Sequence, residues 1–293
     1  MTQQRTVLLI DGSNYTYRGN FSVQDLLTNR DGVPTNAVRG FFMILSTDLK
    51  VLRPTHLAVT FDRTRSYRRL ALYPQYKGTR SKESGDVVKP QMQIIRRLLI
   101  SMGIPTLGIV GEEADDIIAT LAHKFKGENF KVLVSSTDKD FAALVSKETK
   151  IVEARSRRLL GISEVTEKFG VHPSKMTDYL TLMGDKIDNI PGVPGVAGKT
   201  AARLLNEYGK LQRIVGAARK GHLTPALGRN ILEFHESGQL KLSHALVKLD
   251  TKVPLRFVPD RFKLKSRKPD HERVARICEE LDMRATHTLL KGM

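Results

Sequence analysis

Cysteine is almost absent from this chain: Cys278 is the only one in 293 residues. No intrachain disulfide and no cysteine-based zinc site can form, and a reducing compartment is the expected setting. Long apolar runs are missing as well. No stretch approaches the roughly 20 apolar residues a membrane helix needs. The opening MTQQRTVLLIDGSN holds a short apolar run ending at an aspartate, which reads as a strand and not as a secretory signal. The eight histidines are scattered without paired metal-ligand spacing, so surface or packing roles are expected for them. Internal repeats and low-complexity tracts are also lacking. Acidic residues are in short supply: 31 Asp plus Glu against 48 Lys plus Arg give a net charge of +17. That excess favours a polyanionic partner, although an anionic membrane or general solubility would use it equally well.

What is present alternates. The apolar runs Val7 to Ile10, His56 to Phe61 and Lys131 to Val134 are strand-length. Between them lie helix-like segments, Asn36 to Val51, Gln91 to Ser101 and Asp115 to Phe125. This order predicts an α/β fold with a mainly parallel central sheet flanked by helices. After about Val171 the texture changes to helices joined by Gly and Pro turns. A Pro- and Lys/Arg-rich stretch from Thr251 to Lys268 then precedes a final amphipathic helix, His271 to Leu281. Phe41, Phe42 and Met43 read as core on an apolar helix.

The scarce acids fall in telling places. Asp11 and Asp62 end the first two clear strands, and Asp138 and Asp140 follow the third. In open α/β sheets ligands bind at the carboxyl ends of strands, so these acids should converge. Glu113, Asp115 and Asp116 open a helix, where acids also serve as ordinary dipole partners. Asp185 and Asp188 in MGDKIDNIPGV share a face if a helix reaches them. Nine carboxylates packed together would repel and raise one another's pKa, which implies bound cations. All-oxygen ligands select hard ions, Mg²⁺ or Mn²⁺. Two such ions about 3.5 to 4 Å apart suit phosphodiester hydrolysis.

Between Arg63 and Arg80 stand Arg63, Arg65, Arg68, Arg69, Lys77 and Arg80 with no acid, interleaved with Tyr67, Tyr73 and Tyr76. A solvated loop is the plain reading; basic side chains between rings also suit unpaired bases. Gly85 and Pro90 flank the charged stretch Ser81 to Lys89, consistent with a segment that orders only on binding. The run GVPGVAGKTAARLLNEYG fails as an ATP-binding loop, because the first glycine of that pattern would have to stand at Val193. It reads instead as a tight hairpin between two helices. Gly192 and Gly195 would allow close backbone approach, and Gly198 to Tyr208 would form the second helix, with free N–H groups for a phosphate.

Together, LLIDGSN, VTFD, GEEADD, SSTDKD and MGDKIDNIPGVPGVAGKTA resemble, in order and spacing, the 5' nucleases that comprise the N-terminal domain of bacterial DNA polymerase I, phage flap endonucleases and their cellular relatives. The resemblance implies a PIN-like nuclease core over 1–172 with a helical arch at about 63–100. A helix-hairpin-helix-like region would follow over 173–250, and a basic segment and helix over 251–293 would pack back on the core. It implies that Asp11, Asp62, Glu113 and Asp115 hold mainly one metal and Asp138, Asp140, Asp185 and Asp188 mainly the second, with Asp116 matching a further family acid. Tyr76, Lys77 and Arg80 would position the scissile phosphate, with Arg68 near the DNA; Arg18, close behind the first motif, reads either as a contact to the DNA end or as a plain surface arginine. Gly192, Gly195, Gly198 and Lys199 would hold duplex DNA, with a potassium ion at the hairpin. The implied activity is 5'-3' exonuclease and flap endonuclease cleavage of DNA with 5' flaps, nicks or 5' ends. RNA–DNA hybrids and a replicative polymerase are implied partners, for a monomer in bacterial cytoplasm or a phage-infected cell.

Two other classes compete. A non-cleaving junction-binding module would keep the fold, but every expected acid is retained. A phosphatase of the haloacid-dehalogenase kind needs a second aspartate two residues after the first, and that position is Ser13.

Overall fold

The computed structural model describes residues 4–23, 27–79, 83–264 and 268–293. β1 (Thr6–Asp11), β2 (His56–Thr60), β3 (Thr106–Leu107), β4 (Lys131–Ser135), β5 (Thr149–Val152) and β6 (Leu159–Leu160) form one sheet in the order β3-β2-β1-β4-β5-β6. All pairings are parallel except β5 with β6. The order changes direction between β1 and β4, so their carboxyl ends border the crevice where such sheets take ligands.

Both faces of β1 are covered, which is why its run is continuously apolar. Val7 and Leu9 join one core with α5 (Ala114–Gly127); Leu8 and Ile10 join the other with α1 (Gly12–Ser22), α2 (Asn36–Leu52) and α4 (Glu83–Ser101). α1 and α2 lie backbone to backbone at Gly19 and Gly40, where a Cβ on Gly40 would stand 2.1 Å from the Gly19 carbonyl oxygen. Phe41 and Phe42 are buried on α2 as their pattern predicts. Met43, one step further round, is 44% exposed and lies outside the core.

α3 (Tyr67–Leu72) follows β2. α4 continues without a break through Pro90, so the stretch expected to order only on binding is already helical from Glu83 onward. Arg80 and Ser81 lie outside the described residues. After β6 the chain is helical: α6 (Ile162–Phe169), α7 (Met176–Met183), α8 (Gly198–Tyr208), α9 (Leu211–Arg219), α10 (Pro225–Glu236) and α11 (Gln239–Val247). These helices share the core on the α5 side of the sheet. α12 (His271–Glu280) and α13 (Arg284–Lys291) cover α4 and α2 on the other side. No helix among the described residues is long and apolar enough to cross a membrane.

Candidate active site

Asp11 is at once the last residue of β1 and the N-cap of α1, its Oδ1 accepting the Asn14 N–H at 2.9 Å. Its Oδ2 accepts the Ser136 hydroxyl at 3.0 Å. No loop separates strand from helix, so the carboxyl is fixed where β1 meets β4. Asp62, just past β2, accepts the Ser13 hydroxyl at 2.7 Å and the Ala114 N–H at 2.9 Å, which ties it to the start of α5. Asp138 caps the short 3₁₀ turn Lys139–Leu144 by accepting the Asp140 N–H at 2.9 Å. Asp115, in the first turn of α5, feels the charges of Asp11, Asp138 and Asp62.

Asp185 and Asp188 reach the same region without a helix. α7 ends at Met183, Gly184 adopts a positive φ of 69°, and Asp185 Oδ1 then accepts the N–H groups of Ile187 and Asp188 in a tight turn. The shared helical face expected for this pair is therefore replaced by turn chemistry. Gly184 and Gly192 pass so closely that a Cβ on Gly192 would stand 2.3 Å from the Met183 carbonyl oxygen. Gly195 differs from the expectation. A Cβ there would meet nothing nearer than 3.6 Å, and its φ of 76° is what calls for glycine. α8 starts at Gly198 as expected. Ala197 at its N-cap supplies no side-chain acceptor to the first turn, where Lys199 is exposed.

Burial and mutual repulsion shape the titration. Burial, then the charge of Asp62, pushes the Asp11 carboxyl up to about 7; burial, then Asp138, pushes Asp140 up to about 8. Burial and neighbouring carboxylates also raise Asp115 and Asp138. Asp185 goes the other way. Burial would raise it, but the Lys139 ammonium at 2.8 Å and the turn N–H groups outweigh that. Lys77 makes the matching contact nearby, 2.7 Å from Glu113 Oε1 and 3.8 Å from Asp188 Oδ2.

Among the described residues no three acidic, histidine or cysteine side chains meet closely enough to enclose an ion as they stand. The donor set still suits a hard dication, being all oxygen, partly buried and richer in carboxylates than in the cations that touch it, Lys77, Lys139 and Arg69. A stability consequence follows. A carboxyl with a folded pKa above its unfolded value binds more protons when folded, so it destabilises the fold as pH rises between the two values. For Asp11 the window runs from 3.8 to about 7. In chelator, Asp11→Asn and the parent chain should melt together near pH 4. The variant should melt roughly 5 °C higher or more by pH 8. A gap that stays constant across this range in differential scanning calorimetry contradicts the assignment.

Several expected residues sit elsewhere. Asp116 is fully buried and turned from the cluster: its carboxylate takes both Nη atoms of Arg69, at 2.5 and 2.9 Å, and the Asp250 N–H at 2.8 Å. Adjacent helical residues point about 100° apart, so Asp115 stands among Asp11, Asp62 and Asp138 while Asp116 turns to Arg69. Tyr76 is 3% exposed, with its hydroxyl 3.0 Å from Glu113 Oε2, and offers no ring for base stacking. Arg68 donates to the Ala245 and Lys248 carbonyls at the end of α11. Arg18 lies over the Tyr15 ring and donates to the Ala154 carbonyl at 3.2 Å. Sequence reasoning missed Lys139, Ser136 and the role of Arg69. The lysine inside DKD was the one available signal.

Residues 6–170 match the family described as 5'-3' exonuclease, N-terminal resolvase-like domain, and residues 171–271 match its C-terminal SAM fold. A 5'-3' exonuclease of Aquifex aeolicus is 37% identical over 283 residues, covering 96% of this chain and 93% of that protein. DNA polymerase I of Mycobacterium tuberculosis is 36% identical over 290 residues; the match covers 95% of this chain but 31% of the polymerase. Among solved structures, a bacteriophage T5 flap endonuclease complex with DNA and metal ions superposes with a TM-score of 0.69 at 20% identity, covering 98% of both chains. The catalytic core of Rad2 bound to a DNA substrate gives 0.62 at 16% identity, with 99% of this chain and 92% of that one covered. At these identities the structural likeness concerns the fold, an α/β nuclease core carrying a helical region. With both segments matched over most of its length, this chain belongs to the 5'-3' exonuclease family.

Proposed function

We propose that this chain is a divalent-metal-dependent 5' nuclease that cuts branched, nicked or 5'-ended DNA. The observation that carries the reading is the gathering of partly buried, charge-frustrated carboxylates at the β1/β4 crevice of a chain of net charge +17. Asp11, Asp62, Glu113 and Asp115 would hold one ion, and Asp138, Asp140, Asp185 and Asp188 a second. Mg²⁺ or Mn²⁺, when bound there, would supply positive charge to the scissile phosphate and make a nearby water more acidic. The overall reaction adds a water oxygen to phosphorus, breaks the P–O3' bond and passes the proton to the departing 3' oxygen, which leaves a 5'-phosphate and a 3'-hydroxyl.

The chain's own groups arrange the DNA around that event. Lys77, only 12% exposed at its side chain and lodged between the two acid groups, is placed to turn its ammonium to the scissile phosphate. Arg80 would assist from the adjoining segment. A groove of about 810 Å³, lined by Tyr73, Lys139, Asp185, Ile187, Gly192 and Val196, follows the turn from Asp185 to the hairpin and would carry the strand. The first turn of α8 with Lys199 would grip a duplex phosphate without reading sequence, and the hairpin carbonyls would hold potassium. Relatives in which this region is about a third of a DNA polymerase I suggest primer removal beside a polymerase in bacterial cytoplasm, RNA–DNA hybrids included.

A duplex with a 5'-labelled flap tests this directly. Incubation with Mg²⁺ should release a short labelled fragment, and chelation with EDTA should abolish it. Absence of product from flapped, nicked and 5'-recessed duplexes with either Mg²⁺ or Mn²⁺ would reduce the chain to a junction-binding module. Undiminished cleavage in EDTA would remove the metal from the mechanism.

A further inference from the structure

Arg69 is a buried cation whose hydrogen bonds join three parts of the chain. Its side chain is 3% exposed. From the first turns of α3 the guanidinium reaches two acids of the α5 N-terminus: Nη1 lies 2.9 Å from Glu113 Oε2 and 2.5 Å from Asp116 Oδ2, and Nη2 lies 2.9 Å from Asp116 Oδ1. Its remaining donors hold the end of α11, Nε on the Leu246 carbonyl at 2.8 Å and Nη2 on the Lys248 carbonyl at 3.3 Å. Asp116 completes the knot by accepting the Asp250 N–H. One helical turn on, four residues after Asp116, Thr120 donates to the Asp250 carbonyl and accepts the Val253 N–H, both at 3.1 Å.

The arrangement treats the two oxygens of Glu113 differently. Oε2 is fixed by Arg69 and by the Tyr76 hydroxyl, itself in a buried ring. Oε1 meets the Lys77 ammonium at 2.7 Å. A carboxylate locked through one oxygen presents the other in a set direction, which is what outer ligands do for metal-binding side chains. The same guanidinium holds the helical region through main-chain carbonyls, where only a planar fork with several donors can serve; a lysine offers no such fork.

On the reading of the site given above, we infer that Arg69 is a positioning residue. It orients Glu113 toward the metal and registers that carboxylate against the helical region through the end of α11. Asp116, the family-matching acid, is its buried counter-ion and takes no part in metal binding.

Three variants separate this from a purely structural ion pair: Arg69→Lys, Arg69→Met and Asp116→Asn. Each is titrated with Mg²⁺ while Tm is followed without DNA, and the Mg²⁺ dependence of flap cleavage is measured alongside. Breaking a buried pair destabilises, so all three should melt below the parent in chelator. The Mg²⁺ midpoint of stabilisation should rise about ten-fold or more in both Arg69 variants. Asp116→Asn, which leaves the Arg69–Glu113 contact in place, should keep a midpoint within about three-fold of the parent despite its lower Tm. If Arg69→Met does not fold, Arg69→Lys decides. Lower Tm with an unchanged Mg²⁺ midpoint in the Arg69 variants overturns the inference alone, as does an equal midpoint shift in Asp116→Asn. A parent chain whose Tm does not respond to Mg²⁺ or Mn²⁺ overturns the proposed function and this inference together.

Discussion

Asp138→Asn should lose cleavage by about 10³-fold or more while still binding flap DNA, and should also melt higher than the parent in the absence of metal. Both parts come from one change. Asparagine can accept the Asp140 N–H as well as aspartate does, so the cap of the 3₁₀ turn survives. What disappears is a negative charge that raises Asp11, Asp115 and Asp140, and its removal relieves the crowding. On the proposed two-ion reading, the same charge also helps to hold the second ion. Losing several kcal/mol of transition-state stabilisation corresponds to a fall of that order. Single-turnover cleavage, a binding assay in Ca²⁺ and calorimetry in EDTA read the three consequences. A variant that is both less stable and fully active would remove Asp138 from the site.

Lys77→Met is the other large effect, with the single-turnover rate falling about 10² to 10³-fold and affinity for flap DNA changing by only about three-fold. The reason lies in where the ammonium is held. Residue 77 has a positive φ of 55° and its N–H donates to the Asp188 carbonyl at 2.9 Å, while Asn189 donates to the Gln75 carbonyl at 2.9 Å. The loop after α3 is thus anchored to the turn that carries Asp185 and Asp188, and the side chain stands between Glu113 and Asp188. Methionine keeps the length and the backbone conformation but removes the charge. One phosphate contact among many contributes little to affinity, whereas a preorganised cation at the reacting phosphate acts where charge grows. A variant with the parent rate and a weakened Kd would make Lys77 an ordinary DNA contact.

The legible parts of the molecule were those written in local pattern. β1, β2 and β4 are continuous apolar runs with an acid at or near the end of each, so both the sheet and the convergence of Asp11, Asp62 and Asp138 could be read directly. β3 and β6 are two residues long and half-buried, and β5 is the mixed TKIV, so none carries a period that stands out. α13 has amphipathic character but lies beyond His271 to Leu281, the helix expected to be the last. The misplacements share one cause. Arg68 and Arg69 stand in a basic run, yet they bind carbonyls 177 to 180 residues away, and Arg69 also binds the carboxylates of Glu113 and Asp116. Asp116 was grouped with Asp115 by adjacency, although helical geometry alone turns neighbours apart. Tyr76 was read as a stacking ring because its neighbours are basic, and only the fold reveals that it is lodged beneath Glu113.

The dependence of one crevice on both ends of the sequence also sets a timetable. Asp11 and Asp62 emerge early in synthesis, but the turn bearing Asp185 and Asp188 follows Asp115 by 70 residues, which at typical translation speeds is roughly 4 to 14 s. The end of α11 that Arg69 clasps comes later still. Until it has emerged, the circle of charges that Lys77, Lys139 and Arg69 complete cannot close. A cell making this protein therefore has no competent cutting centre on its ribosomes until nearly the whole helical region has been translated.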